Sequence, residues 1–191
     1  MPRMVKFIRI VMILCFSISS VSANAVQEIT LHYSELYNKM KYNGDEAHPN
    51  VFVRHYFIAP TTHDVCSWQS AIMFKGKKQE RLSPPDDYSL AVPIDSYLRQ
   101  ANPEVTFVMT ENIDCDLSVE VLSLDIDTPF YTLHHQFVSL YEQLSGSIGK
   151  RFLPDITGLN YYYHDGRKQT FQHPPSAAQR EGAMKITASF K

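Results

Sequence analysis

Residues 105–111 read Val-Thr-Phe-Val-Met-Thr-Glu, and residues 117–125 read Leu-Ser-Val-Glu-Val-Leu-Ser-Leu-Asp. Val105, Phe107 and Met109 alternate with Thr106, Val108 and Thr110. Leu117, Val119 and Val121 fall at the same spacing in the second stretch. Side chains of a strand point to opposite faces with a period of two, so each stretch reads as a strand with an apolar face. Between them lies Cys115.

The same reading extends outward. Residues 51–59 are rich in β-branched and aromatic residues and apolar on both faces, as in a central strand. Residues 67–74 carry Trp68, Ile72 and Phe74 on one face, and Lys75-Gly76-Lys77-Lys78 makes a cationic turn into residues 79–82. Residues 88–94 read as a short edge strand interrupted by Pro93. Residues 161–163 and 169–172 flank the hairpin turn His164-Asp165-Gly166-Arg167, and residues 185–190 alternate like a final strand. Ser34 is positioned to cap a short helix through Leu36, Tyr37 and Met40, and residues 95–100 form a helical turn.

The period changes after Thr128-Pro129. Leu133, Phe137, Leu140, Leu144 and Ile148 recur at helical spacing, and Gly149 followed by Lys150-Arg151 suits the end of that helix. The fold class expected is α+β, mainly antiparallel β, with a sandwich-like sheet core and one substantial amphipathic helix in the C-terminal half.

The N-terminus has a different character. Arg3, Lys6 and Arg9 precede an apolar run over residues 10–18, and Ala23-Asn24-Ala25 fits a signal-peptidase site. Residues 1–25 therefore read as a cleaved signal peptide and residues 26–191 as a single β-rich exported domain. The run is too short to span a bilayer, and no later apolar segment is long enough. Removal of the leader takes three of the 18 basic residues and none of the 20 acids, so the formal charge moves from −2 to −5. That balance excludes a domain-wide basic footprint for nucleic acid.

Cleavage also removes Cys15, leaving Cys66 and Cys115. An even pair in an oxidising compartment reads as a disulfide. Cys66 shares strand parity with Trp68 and Cys115 with Leu117, so the bridge belongs at one end of the core, close to Trp68.

The sequence clusters no chemistry. His134-His135 are adjacent on the expected helix, about 100° apart, and cannot clamp one ion as residues four apart do. His55, His63 and His164 are scattered, and Gly146-Ser147-Ile148-Gly149 lacks the spacing of a nucleophile elbow. Asp114, Asp116, Asp125 and Asp127 lack the further ligands of a calcium loop. No catalytic residue, metal ligand or cofactor is assigned. Tyr161 and Tyr163 share one face of their strand and are the candidate ligand-contact residues, stacking on a sugar ring or filling an interface; core packing is the competing reading. Lys75, Lys77, Lys78 and Arg81 form a local basic patch suited to acidic glycans or phospholipid head groups, or to a solvated hairpin tip.

Several stretches together carry a resemblance. Leu31-His32-Tyr33-Ser34-Glu35-Leu36-Tyr37 follows the exported start, and Val92-Pro93-Ile94-Asp95-Ser96-Tyr97-Leu98 lies further on. Cys115-Asp116-Leu117-Ser118-Val119 and Leu153-Pro154-Asp155-Ile156-Thr157-Gly158-Leu159 complete the set. Over most of residues 28–165 the chain resembles the bacterial exported proteins grouped as domain of unknown function 2987. The resemblance implies a Gram-negative envelope setting and carries over no activity and no site residues. The tail after His164 matches no motif.

These observations lead to a non-enzymatic, disulfide-stapled periplasmic domain that binds an envelope protein or glycan. An envelope hydrolase with a dispersed carboxylate or histidine site is the alternative, and an assembly or structural subunit is a third.

Overall fold

The computed structural model describes residues 27–191; the expected signal peptide, residues 1–25, lies outside them. Nine strands form two antiparallel sheets. Sheet A has the order β1-β5-β3-β4, from β1 (Glu28–His32), β3 (Trp68–Lys75), β4 (Lys78–Leu82) and β5 (Glu104–Met109). Sheet B has the order β2-β6-β9-β7-β8, from β2 (Phe52–Ile58), β6 (Asp116–Ser123), β7 (Ile156–Tyr163), β8 (Lys168–Phe171) and β9 (Ala183–Phe190). The helices are α1 (Tyr33–Met40), α2 (Ser96–Ala101), α3 (Phe130–Gly149) and α4 (Ala177–Arg180). The α+β, mainly antiparallel class is thus the one observed.

Each sheet has its own core. In the first, Ala71, Met73, Val105, Phe107 and Met109 of sheet A pack with Tyr33 and Leu36 of α1, Leu98 of α2, Leu90 and Val92 of a connecting segment, and Phe57 of β2. In the second, Phe130, Leu133, Phe137 and Leu140 of α3 lie against Val53, Val121, Leu159, Tyr161 and Ile186 of sheet B. One strand joins the two. On β2, Val53 belongs to the α3 core and Phe57 to the sheet A core, with buried His55 between them on the same parity.

The bridge forms between Cys66 and Cys115, which are 49 residues apart in sequence. Cys66 is buried in the same cluster as Trp68, and Cys115 packs against that cluster. Trp68 meets Phe107 edge to face at 5.3 Å, and Phe107 meets Phe57 in the same way at 5.2 Å. The staple therefore ties the start of β3 to the start of β6 at the Trp68 end of the first core.

Several local expectations are corrected. Residues 88–94 form no ladder: Tyr88 adopts φ 55°, Pro93 has no amide hydrogen, and the segment is held by the Leu90 amide donating to His55 carbonyl at 2.8 Å. Its Leu90 and Val92 are buried all the same, which explains the strand-like alternation. Helix α1 starts before Ser34; His32 is the capping position, and its amide donates to the Glu35 carboxylate at 2.8 Å. Regular geometry in α3 breaks at Gly146 (φ 67°, ψ −179°) instead of at Gly149, because that backbone region is open only to glycine. The side chain of Ile148, the last residue of the expected stripe, lies outside the described ones. Asp95 caps α2 by accepting from the amides of Tyr97 and Leu98.

Candidate functional site

Tyr161 and Tyr163 do not form a ligand-contact face. They are 1% and 4% exposed. The alternation that sets them together also sets them beside Leu159, on the face that α3 covers. Tyr161 packs edge to face on Phe171 at 5.4 Å, and burial raises its hydroxyl above the ordinary tyrosine range. The Tyr163 hydroxyl donates to the Gln179 carbonyl at 2.5 Å, anchoring α4. The residue on the other face, Tyr162, is half-buried between two cations: Lys185 lies 4.7 Å and Lys168 5.5 Å from its ring centre.

That other face carries the candidate site. An elongated groove of about 650 Å³ follows β6 from Ser118 to Leu124. Its six strand residues and Leu124 beyond them cover about 20 Å at the usual rise. Its floor includes Ile58 of β2 and Leu122 of β6, and Tyr56 lies beside them. Three further apolar side chains at the groove stand out into solvent: Val65, Leu124 and Met184 are each 43–47% exposed. Isolated exposed apolar residues are ordinary; here several gather around one concavity.

The charges around the groove are already paired. Arg54 on β2 forms an ion pair with Asp87. Lys185 on β9 donates to Glu120 on β6 at 2.7 Å. The Tyr56 hydroxyl points to the same Asp87 carboxylate at 3.4 Å, and burial pushes its pKa up, with Glu120 adding to the shift and Arg54 opposing it. The groove thus combines an apolar length with a charge-balanced rim.

Arg54 and Asp87 also wall a second groove of about 620 Å³, lined by Met40, Asn43, His55 and Leu90 among others. Its polar groups are turned to structural use. Asn43 pairs with Val53 backbone in both directions, at 2.9 and 2.7 Å. His55 is buried with neither ring nitrogen hydrogen-bonded among the described residues, and burial lowers its pKa to about 4.

The remaining candidate groups hold structure. His48 is buried, with Nε2 3.0 Å from Gln143 and Nδ1 3.3 Å from the Val51 carbonyl. His134 reaches the Ile156 carbonyl at 3.0 Å. His63 occupies a turn at φ 63°. Asp125 accepts from the Thr128 hydroxyl at 2.6 Å and from the amides of Asp127 and Thr128, which holds its carboxyl below the usual range. Among the described residues no group of three or more His, Cys, Asp or Glu side chains is placed to hold a metal ion. None of their helices is long and apolar enough to cross a membrane.

Arg54, Asp87, Glu120 and Lys185 escaped the sequence reading because they come from four separate segments. The available signal was Arg54 itself, a charge in the middle of an otherwise apolar strand.

The architecture is that of an α+β domain with two antiparallel sheets, and the exposed face of sheet B carries a groove whose rim charges are paired. Residues 25–163 match the family described as Protein of unknown function (DUF2987), and the chain belongs to that family. No curated protein and no solved structure matches the chain. The matched stretch ends at the last residue of β7, so β8, α4 and β9 lie beyond it.

Proposed function

We propose that the protein is a non-enzymatic binding domain of the bacterial envelope, exported to the periplasm, which holds an extended, largely apolar peptide segment of an envelope protein along β6. The observation that carries this reading is the groove from Ser118 to Leu124, with Val65, Leu124 and Met184 exposed around it and its charges internally neutralised. Such a lining suits alternate apolar side chains of an extended chain and rewards no net ligand charge. A glycan fits this groove less well: Tyr161 and Tyr163 are buried and Tyr56 is 8% exposed, so the groove offers no open aromatic face for a sugar ring. The Cys66–Cys115 bridge supports residence in an oxidising compartment.

Site-specific photocrosslinking in envelope extracts tests the reading. A crosslinker at Val65 or Leu124 should capture one discrete protein, and Met184→Glu should abolish the capture. A crosslinker at Thr30, on sheet A, should not capture it. Equal capture from both sheets, or none from the groove, overturns the proposal.

A further inference from the structure

The β3–β4 hairpin carries a second surface of different chemistry. Phe74, Ile94 and Tyr97 are 53%, 50% and 50% exposed. Phe74 lies near the end of β3, Ile94 in the segment before α2, and Tyr97 in the first turn of α2. Phe74 precedes the turn at Lys75-Gly76-Lys77-Lys78. Lys75 donates to Asp95 at 2.6 Å, which brings the neighbouring Ile94 to the hairpin. A Cβ built on Gly76 would stand 3.3 Å from the Tyr97 hydroxyl, so that ring reaches the turn itself. Lys77 and Lys78 are exposed and form no ion pair among the described residues.

Three large apolar side chains at a hairpin tip have no folding role to account for their exposure. Lysines are interleaved with them. Lys75, Lys77 and Lys78 outnumber Asp95 and Glu80 locally, on a chain whose net charge is −2. We infer that this tip docks the domain on an anionic lipid bilayer, with the lysines at the head groups and Phe74, Ile94 and Tyr97 entering the interface. Aromatic and aliphatic side chains settle at the head-group boundary, and each cation near an anionic surface adds about 1 kcal/mol. A soluble polyanion would use the lysines and leave Phe74 idle; the apolar trio favours the bilayer. The surface is separate from the groove on sheet B, so an anchored domain keeps that groove open.

Co-sedimentation of the purified protein with phosphatidylcholine vesicles, with and without phosphatidylglycerol, tests the inference. All variants share the same first 25 residues, so differences between them report the hairpin. The wild-type chain should pellet preferentially with the anionic vesicles, and added salt should weaken it. Lys77→Glu with Lys78→Glu should lower the partition constant by roughly thirtyfold or more, from about 1 kcal/mol for each lysine lost. Phe74→Ser should weaken binding as well, while Lys150→Glu with Arg151→Glu, outside the hairpin, should leave it unchanged. Equal pelleting with neutral vesicles, or insensitivity to the lysine reversals, overturns the inference. So does loss with the lysine reversals but not with Phe74→Ser, which would identify a polyanion surface instead.

Discussion

Ile186 in β9 stands directly across the ladder from Tyr161 in β7. On its other side β9 pairs with β6, where Ile186 faces Ser123. The final strand is therefore an interior strand of sheet B, inserted between two strands of the family-matched stretch although it lies beyond that stretch.

The first prediction follows from that insertion. Ile186 is fully buried among Leu159, Tyr161 and the α3 side chains. Ile186→Ala should lower unfolding stability by about 2–4 kcal/mol, the usual range for a truncated core aliphatic. Removal of residues 183–191 should abolish the cooperative transition of the α3 core, since β6 and β7 then lose their common partner. Urea unfolding followed by circular dichroism reads both outcomes.

The bridge closes a loop of about 50 residues. Chain entropy assigns such a closure about 4 kcal/mol. Cys66→Ser with Cys115→Ser should lower the unfolding free energy by an amount in that range, and reductant should do the same to the wild-type chain while leaving the double variant unaffected. Thiol titration of the denatured, unreduced protein should find neither of the two cysteines reactive.

His55 makes the fold acid-sensitive. Its folded pKa is lowered to about 4 by burial, against an ordinary value of 6.5. Between those values the unfolded chain binds a proton that the native chain does not, so stability is complete above pH 6.5 and falls as the pH drops toward 4. The difference amounts to about 3 kcal/mol over that window. His55→Leu removes the buried unpartnered nitrogens, and its stability should lose this component of the pH dependence. Denaturation curves at pH 7.5 and pH 4.5 for the two proteins check the sign.

Gly158 stands where no side chain fits. A Cβ there would lie 2.3 Å from the Phe171 carbonyl oxygen, a backbone atom that cannot swing away. Gly158→Ala should force β7 and β8 apart and cost about 1–3 kcal/mol, the range for overpacking. Thermal unfolding of the variant measures it; an unchanged Tm would show that the β7 irregularity between Ile156 and Gly158 absorbs the methyl group.

Much of the architecture was written in local periodicity. The alternation of Val105, Phe107 and Met109, the helical stripe from Leu133 to Leu144, and the shared parity of Cys66 with Trp68 and of Cys115 with Leu117 each rest on side-chain direction, which follows from backbone geometry alone. Period two states which residues share a face. It does not state which face meets a partner. Tyr161 and Tyr163 were correctly paired with each other, yet only α3, packing from elsewhere in the chain, made theirs the buried face and left Tyr162 to the solvent side.

The same limit governed the rest. The strand character of residues 185–190 was legible, but its interior position depends on hydrogen bonds to β6 and β7, distant in sequence. Residues 88–94 alternate like a strand because Leu90 and Val92 are buried, and only the missing ladder shows that they are not one. Local pattern was enough for most of the strands, the helix α3, the α+β class and the cysteine pair, because those depend on neighbours along the chain; β1 and α4 carried no such signal. Tertiary structure alone decided sheet order, the sharing of β2 between two cores, and the meeting of Arg54, Asp87, Glu120 and Lys185 around one groove, because those depend on contacts between segments whose separation carries no periodic signal.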